Sequence, residues 1–130
     1  MVISKSDWDE LVAHARESVP DECCGYARAK DGRVEQVFRG ENVTETSKMY
    51  GYMLDSHSMF KAYELEEQGF DVVMYHSHPA SAAEPSQTDI NLARYPHWRY
   101  VIVSAVEEPN VRCWRIAEGK VEEEDVTVDG

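Results

Sequence analysis

A short segment with two histidines and two carboxylates, YHSHPASAAEPSQTD, has the residue types that could bind a metal ion. His76 and His78 lie one residue apart at the end of an apolar run. If that run is a β-strand, residues i and i+2 point to the same face, so both imidazoles can reach one ion. Nitrogen ligands suit zinc, iron, copper or nickel better than magnesium or calcium. Asp89 is the first candidate for a third ligand because the loop after Pro79 can return to the strand end, and Glu84 is its competitor.

Three protein ligands would leave one coordination position open. An open position filled by water is typical of catalytic zinc sites, whereas structural sites use four protein ligands. The sequence has no second cluster of Cys or His that could close the site. An activated water also needs a nearby proton acceptor. Within the segment only Glu84 could serve, and spacing alone does not rank the candidates elsewhere in the chain.

Ser86 and Asp89 also have a purely structural interpretation. The sequence PSQTD is a good helix start, with Ser86 as the N-cap and Asp89 reaching back from the third helical position. On this interpretation neither residue takes part in chemistry. The two interpretations are compatible, because a helix start is also a rigid position for a metal ligand.

Hydrophobic periodicity and turn residues predict the elements that would position these residues. The predicted helices cover residues 6 to about 18, with Ser6 as N-cap; 58–68, capped by Asp55 or Ser56; and 86 to about 94. The predicted strands cover 22–28, 33–39, 71–76, 99–106, and a hairpin of 111–117 with 120–128, with 48–54 as a further candidate. This mixture predicts an α/β or α+β sandwich with a sheet of about six strands.

Length and charge narrow the function. A chain of 130 residues suits a single domain, residues 1–130. Asp and Glu number 25 against 13 Lys and Arg, a net charge of -12. Such a surface repels phosphate groups, so neither nucleic acid nor an anionic membrane is an expected partner. The charge is compatible with a basic protein partner, a salty cytoplasm or simple solubility.

Cysteine usage and hydropathy bear on the cellular location. No apolar segment approaches the roughly 20 residues that span a bilayer, and no signal peptide is visible. The three cysteines are an odd number, and the neighbours Cys23 and Cys24 would form a strained bridge, so free thiols in a reducing compartment are expected. We therefore expect a cytoplasmic protein, and the sequence leaves monomer and homodimer open.

The combined motif resembles the JAMM metallopeptidase family, also called the MPN+ or JAB domain. That family has His-x-His-Pro followed by Ser-x-x-Asp, which this chain matches with HSHP and SQTD. An upstream Pro-x-Glu-x-Cys-Gly segment resembles VPDECCGYA and places the catalytic glutamate of the family on Glu22. The resemblance implies a cytidine-deaminase-like JAMM/MPN fold with a mixed, largely antiparallel sheet and flanking helices. The chain is similar to small, single-domain prokaryotic members of the Mec+ type, which process ubiquitin-like sulfur carrier proteins.

The resemblance also implies a mechanism. One zinc ion per chain would be held by His76, His78 and Asp89 and would lower the pKa of a water molecule from about 15.7 towards 7. Glu22 would take the proton and later give it to the leaving amine, and the Ser86 hydroxyl would donate to the developing oxyanion. The substrate would be the amide or isopeptide bond after the C-terminal Gly-Gly of a ubiquitin-like or sulfur carrier protein. Such an extended tail could add as a strand at a sheet edge beside the metal.

Three other functions compete with this one. A non-catalytic MPN scaffold would usually lack the ligand set, which is complete here. A cupin-like iron site would use Glu84 as its carboxylate, but cupins are all-β and the predicted helices argue against them. A cysteine hydrolase would use Cys23 or Cys24 with a histidine, and inhibition by a chelator rather than by thiol alkylation separates the two chemistries. The remaining histidines are not assigned to a metal: His14, His57 and His97.

Overall fold

The computed structural model describes residues 1–130 as one eight-stranded β-sheet with three helices. In chain order the elements are β1 (Val2–Ser4), α1 (Lys5–Ser18), β2 (Cys24–Lys30), β3 (Arg33–Arg39), α2 (Ser56–Glu67), β4 (Asp71–His78), α3 (Gln87–Leu92), β5 (Arg99–Ser104), β6 (Val111–Ala117), β7 (Lys120–Glu124) and β8 (Thr127–Asp129). Across the sheet the strands are ordered β7-β6-β5-β4-β2-β3-β1-β8.

The strand directions and the position of β4 agree with the predicted fold class. Four neighbouring pairs run antiparallel and three run parallel, so the α+β class with a mixed, largely antiparallel sheet is confirmed. Strand β4 lies between β2 and β5 and is buried from Val72 to His78. A strand buried on both faces reads as a nearly continuous apolar run, which is how its sequence begins. The polar residues at its end are His76, Ser77 and His78, and all three are buried.

Helices α1 and α2 cover opposite faces of this sheet. Leu11 and Ala15 of α1 pack in one core cluster with Tyr75 of β4. Ala62 of α2 packs in the other cluster with Met74. Successive strand residues point to opposite faces, so the two clusters are the two layers of the sandwich. The histidines that follow at intervals of two share the face of Met74, on the α2 side.

The sheet has two more strands than the predicted six, because short segments add at one edge. Strands β1 and β8 have three residues each, which is too short to show an alternating pattern. The predicted strand over 120–128 is divided: β7 ends at Glu124, and residues 127–129 pair in parallel with β1 at the opposite edge. The sequence pattern predicts a single hairpin strand because nothing in it marks this change of edge.

The predicted strand over 48–54 is wrong, and one side chain explains why. Only Leu54 pairs, in an isolated bridge with Asn42. The Asn42 side chain accepts hydrogen bonds from the backbone N–H groups of Thr44 and Met53 and donates to the Gly51 carbonyl. These bonds satisfy backbone groups that a neighbouring strand would otherwise satisfy. We refer to residues 43–53 as the Asn42 loop.

The helix boundaries differ from the predicted ones by one to two residues. Helix α1 begins at Lys5, and its N-cap is Ser4 rather than Ser6, since the Ser4 hydroxyl accepts from the Asp7 N–H at 3.0 Å. Asp55 caps α2, which is one of the two predicted caps. Helix α3 ends at Leu92 rather than near residue 94. None of the helices has the length and apolar character needed to cross a membrane.

Candidate metal centre and active site

The two histidines lie in the last three residues of β4, as the alternation argument requires. His76 is paired with Cys24 on one side and Ile102 on the other, so the strand is regular at this point. His78 is still paired with Ser104 of β5. Both imidazoles are buried and, being two residues apart, point to the same face.

Asp89 completes a cluster of three potential ligands. One donor atom from each of His76, His78 and Asp89 lies within 4.8 Å of the others, and we call this group the His–His–Asp cluster. The carboxylate lies between the rings, with Oδ1 at 3.1 Å from His76 Nε2 and Oδ2 at 3.0 Å from His78 Nε2. The three residues predicted as ligands are therefore brought together, with neither a cysteine nor a fourth ligand among them.

The orientation of His78 is fixed by a backbone carbonyl. Its Nδ1 lies 2.8 Å from the Ala82 carbonyl oxygen, which can only accept, so Nδ1 carries the hydrogen. The lone pair of the neutral ring is then on Nε2, the atom that faces Asp89. Burial alone would lower the pKa of His78, but the protonated ring can donate from Nε2 to Asp89 and from Nδ1 to Ala82, and these bonds raise the pKa overall. A carbonyl partner of this kind is a common support for a metal-binding imidazole.

His76 supplies a test of whether a cation fits this cluster. Its Nε2 is buried and, although it lies 3.1 Å from Asp89 Oδ1, the two atoms are not aligned as a hydrogen bond and Nε2 has no other partner. A buried polar atom without a partner is costly. The ring is held in place by Tyr52, which stacks on it with centroids 4.4 Å apart. His76 Nε2, His78 Nε2 and the Asp89 carboxylate together fit a zinc ion with three protein ligands and one open position.

The charge of Asp89 is secured before any ligand binds. Burial would raise its pKa, but the imidazoles of His76 and His78, about 3 Å away, and the Ser86 backbone N–H hold the pKa of Asp89 far below its usual range. The carboxylate is therefore ionised at neutral pH. An ionised carboxylate is the form that can coordinate a metal.

The predicted capping box at the start of α3 is present. The Asp89 N–H donates to the Ser86 hydroxyl at 3.1 Å, and the Ser86 N–H donates to Asp89 Oδ2 at 2.9 Å. The same carboxylate reaches both histidines, so the structural and metal-ligand interpretations of Asp89 hold together. The helix start fixes the carboxylate relative to the strand end.

The loop between β4 and α3 is anchored by β5 and β6, which sequence reasoning did not detect. The Trp114 indole N–H donates to the Ala83 carbonyl at 3.0 Å, and the Ser104 hydroxyl donates to the Ser81 carbonyl at 2.7 Å. These bonds link side chains on two strands to the backbone just before Ser86. The only signal in the sequence is that Ser104 and Trp114 place hydrogen-bond donors within otherwise apolar strands.

Glu84 does not take part in the cluster. Its carboxylate pairs with Arg112 at 3.0 Å, and 63% of its side chain is exposed. Arg112 in turn makes two hydrogen bonds to Glu123 and lies over the Trp114 ring. The structure therefore does not support Glu84 as the third ligand or as the proton acceptor.

Glu22 is the residue whose position sequence spacing could not fix. The ladder between β2 and β4 continues past β2, because Ser77 N–H donates to the Cys23 carbonyl at 3.0 Å and Cys23 N–H donates to the Ser77 hydroxyl at 2.8 Å. Glu22 follows directly, with its N–H donating to the Lys48 carbonyl and its carbonyl accepting from the Asn42 side chain. These bonds place the Glu22 side chain beside the end of β4.

The Glu22 carboxyl group is buried and has no hydrogen-bond partner on Oε1. Burial raises the pKa of Glu22 to about 7. The nearby His78 lowers this pKa, and the negative charge of Asp89 raises it, both by less than burial does. A group that titrates near neutral pH can both accept and release a proton there. Glu22 lines one cavity of about 340 Å³ together with His78 and Ser86. The candidate base thus shares a space with the cluster without belonging to it.

The alternative site residues have other environments. Burial raises the pKa of Cys23 and of Cys24, so both thiols are protonated at neutral pH and neither is a ready nucleophile. His14 is hydrogen-bonded through Nδ1 to the Tyr75 hydroxyl at 2.7 Å, in the layer of α1 on the far side of the sheet. His57 and His97 are exposed.

Comparison with known proteins gives a consistent result. The family described as prokaryotic homologs of the JAB domain matches residues 4–117. The CysO-cysteine peptidase of Mycobacterium tuberculosis (strain ATCC 25618 / H37Rv) is 38% identical over 135 residues, which covers 98% of this chain and 90% of that protein. The probable TtuB-protein conjugate cleaving protease of Thermus thermophilus is 34% identical over 116 residues, which covers 86% of this chain and 73% of that protein.

The fold comparison agrees. The crystal structure of AF2198, a JAB1/MPN domain protein from Archaeoglobus fulgidus, superposes with a TM-score of 0.65 at 20% identity, covering 100% of this chain and 97% of that chain. At this identity the similarity concerns the fold alone. Together with the family match, it confirms the resemblance drawn from the sequence motifs.

Proposed function

This chain belongs to the prokaryotic JAB-domain family, and we propose that it is a zinc-dependent peptidase acting on a ubiquitin-like protein. The bond cut is the amide or isopeptide bond after the C-terminal Gly of that partner. One observation carries the proposal: Glu22, His78 and Ser86 line a single cavity next to the His–His–Asp cluster. The printed names of relatives, a CysO-cysteine peptidase and a TtuB-protein conjugate cleaving protease, point to the same class of reaction.

The His–His–Asp cluster would hold the zinc ion, one per chain. When bound, the ion supplies a Lewis acid that polarises the scissile carbonyl and makes water a stronger acid. Ala82 selects the neutral tautomer of His78 that has its lone pair on Nε2, and the two imidazoles and the Ser86 N–H keep Asp89 ionised. His78 and Asp89 thus supply a nitrogen and a carboxylate oxygen in the forms that a metal requires, and His76 Nε2 would supply the second nitrogen.

Glu22 and Ser86 would move protons and stabilise charge. The Glu22 carboxylate takes a proton from the attacking water and returns it to the departing amine. The Ser86 hydroxyl accepts the Asp89 N–H, so its own hydrogen stays free to donate. A hydroxyl fixed at a helix start and facing the cavity can stabilise negative charge that develops on the carbonyl oxygen.

This chain has a groove beside His76 that could bind the C-terminal tail of the partner. The groove is about 240 Å³ in volume and lined mainly by apolar side chains, with Tyr52, Met53, Met74 and Leu92 among them. The open edges of the sheet, β7 and β8, are separated from β4 by other strands, so the expectation of strand addition at a sheet edge beside the metal is not supported. An extended tail would instead lie in this groove, and the negative chain favours a carrier with a basic surface.

Metal removal tests the proposal. A carrier ending in Gly-Gly and joined to a reporter amine should be cleaved by the zinc-loaded protein at the bond after Gly. A chelator should abolish cleavage, added zinc should restore it, and alkylation of the buried thiols should have no effect. Binding of the carrier without cleavage by zinc-loaded protein would instead favour the scaffold function.

Ser86→Ala separates the two roles of this serine. Loss of one oxyanion donor is expected to lower kcat by ~10²–10³ while zinc content is kept. Loss of the N-cap alone would cost about 1 kcal/mol of stability and leave turnover per folded molecule nearly unchanged. Ser4→Ala is the matched control, since it removes an N-cap far from the cluster. Kinetics and thermal melts on both variants decide, and a Ser86→Ala enzyme that differs from Ser4→Ala only in activity supports the oxyanion role.

A further inference from the structure

The side chain of Asn42 uses its whole hydrogen-bonding capacity between Glu22 and the Asn42 loop. Its Nδ2 donates to the Glu22 carbonyl at 3.0 Å and to the Gly51 carbonyl at 3.1 Å. Its Oδ1 accepts the N–H groups of Thr44 at 3.2 Å and of Met53 at 3.1 Å. A side-chain amide has two donor hydrogens and two acceptor lone pairs, so all of them are used here. The partners also fix which end of the amide is nitrogen, because carbonyls can only accept.

Glu22 depends on such contacts because regular structure does not hold it. Strand β2 begins two residues later, at Cys24. The buried Oε1 of Glu22 has no hydrogen-bond partner, so this oxygen gives the side chain no anchor of its own. The direction of the carboxyl group therefore follows from how the Glu22 backbone is held. Its N–H donates to the Lys48 carbonyl at 2.7 Å, and its carbonyl accepts from Asn42, so both anchors come from the same side of the molecule.

The Asn42 loop carries side chains that border the His–His–Asp cluster. Tyr52 stacks on the His76 ring, and Tyr52 and Met53 line the groove of about 240 Å³, which we call the apolar groove. Gly51 and Met53, the residues on either side of Tyr52, are the ones whose backbone groups bond to the Asn42 amide. One amide thus holds both the backbone of the candidate base and the backbone around the ring on His76.

The base of the loop does not need the Asn42 side chain. The Val43 N–H donates to the Met53 carbonyl at 2.8 Å, and the Asp55 N–H donates to the Glu41 carbonyl at 3.1 Å. The Asp55 carboxylate also accepts the Glu41 N–H at 2.9 Å. These bonds remain when Asn42 is replaced, so variants at this position should fold. What the amide adds to a loop that is already closed is its connection to Glu22.

From these contacts we infer that Asn42 is a positioning residue for Glu22 and ties the proton acceptor to the wall of the apolar groove. The inference rests on the proposed function, because it takes Glu22 as the group that accepts the proton of the attacking water. Asn42 lines neither the apolar groove nor the cavity that Glu22 shares with His78 and Ser86, so it acts through Glu22 rather than on the substrate. A base displaced by about 1 Å can lose ~10²-fold in rate.

Asn42→Asp removes the two donor hydrogens and keeps oxygen acceptors for Thr44 and Met53. We expect kcat to fall by ~10-fold or more, because the Glu22 carbonyl loses its anchor. KM for a peptide tail ending in Gly-Gly should change little, because the bond to the Met53 N–H is kept. Asn42→Ala removes all four bonds and should raise KM as well as lower kcat. Zinc content should equal that of the wild type in both variants, because Asn42 is not part of the His–His–Asp cluster.

Val43→Asp is the matched control for the negative charge that Asn42→Asp adds. Val43 is the next residue along the chain, its side chain is half-exposed, and its N–H bond to Met53 needs only the backbone. The variant brings a carboxylate to the same region and leaves the Asn42 amide intact, so kcat should stay close to the wild-type value. An equal loss of kcat in Val43→Asp and Asn42→Asp would overturn the inference, because charge would then explain the effect.

A double-mutant cycle with Glu22→Gln distinguishes positioning from a general structural role. If Asn42 acts through the Glu22 carboxyl group, Asn42→Asp should cost little further rate once that group is gone. The ~10-fold effect on the single-turnover rate should therefore nearly disappear in the Glu22→Gln background. The same fold loss in both backgrounds contradicts positioning, and so does a folded, zinc-loaded Asn42→Asp enzyme with the kcat of the wild type.

Hydrogen exchange followed by NMR gives a readout that does not need activity. In Asn42→Asp the Glu22 N–H should exchange ~10-fold faster, because the segment that it bonds to is no longer held on its other side. The Cys23 N–H, which donates to the Ser77 hydroxyl, should stay protected. Unchanged exchange at Glu22 overturns the inference. A zinc-loaded wild type that does not cleave a Gly-Gly-tailed carrier overturns the proposed function alone, and the exchange rates still decide whether Asn42 holds Glu22.

Discussion

The double variant His76→Ala/His78→Ala is expected to purify without stoichiometric zinc and without hydrolytic activity. The two rings supply both nitrogen donors of the His–His–Asp cluster, and Asp89 alone offers too few ligands to hold the ion. Metal analysis of the purified protein should give about one zinc per chain for the wild type and near zero for the variant. Circular dichroism establishes that the variant is folded.

A matched control separates site binding from adventitious binding by imidazoles. His57→Ala/His97→Ala removes two exposed histidines, and it should retain the full zinc content and activity. A full zinc content in the His76→Ala/His78→Ala protein would refute the assignment. Equal loss in both double variants would mean that the zinc measured in the wild type is bound nonspecifically.

The position of the histidine pair was predictable because it depends on local pattern alone. The apolar run before His76 reads as a buried strand, and alternation puts His76 and His78 on one face once the strand extends to residue 78. The capping box of Ser86 and Asp89 was equally predictable, because the two residues lie within four positions of each other in the sequence. What the pattern could not supply is that one carboxylate serves both the cap and the cluster.

Other features depend on contacts between distant parts of the chain. The aromatic and apolar residues of 48–54 favour a strand, yet the Asn42 side chain bonds to backbone groups of Gly51 and Met53 in this segment. The parallel pairing of β8 with β1 joins the two ends of the chain and leaves no local trace in the sequence. Trp114 lies in the predicted strand over 111–117, and nothing in that local pattern indicates that its indole N–H binds the loop before Ser86.

Glu22 is the clearest case in which local reasoning fails. On composition it is one carboxylate among many at a turn between a helix and a strand, and its motif match alone distinguished it. Its placement depends on the continuation of the β2–β4 ladder through Cys23 and Ser77 and on the contacts from Lys48 and Asn42. A residue located by four long-range contacts can be recognised by resemblance, but not by periodicity.

Glu22→Gln should therefore separate catalysis from every other property of the site. Glutamine keeps the shape of the side chain and a hydrogen-bonding group but cannot take a proton from water. We expect kcat/KM to fall by ~10²–10⁴, the usual contribution of a general base. Zinc content should be unchanged because Glu22 is not one of the three residues of the His–His–Asp cluster. Binding of a Gly-Gly-tailed carrier should also be retained, since Glu22 does not line the apolar groove.

The measurement needs single-turnover rates, metal analysis and carrier binding on one preparation, with Glu84→Gln as the matched control. Glu84 has a largely exposed carboxylate paired with Arg112. The Glu84→Gln variant should therefore cleave the carrier at close to the wild-type rate. If instead Glu22→Gln is nearly as active as the wild type, the base lies elsewhere, and a slow Glu84→Gln enzyme would identify it. If Glu22→Gln loses zinc along with activity, the buried Oε1 that lacks a partner in the protein belongs to the metal site rather than to proton transfer. Only loss of rate with zinc and carrier binding intact assigns Glu22 the role of the base.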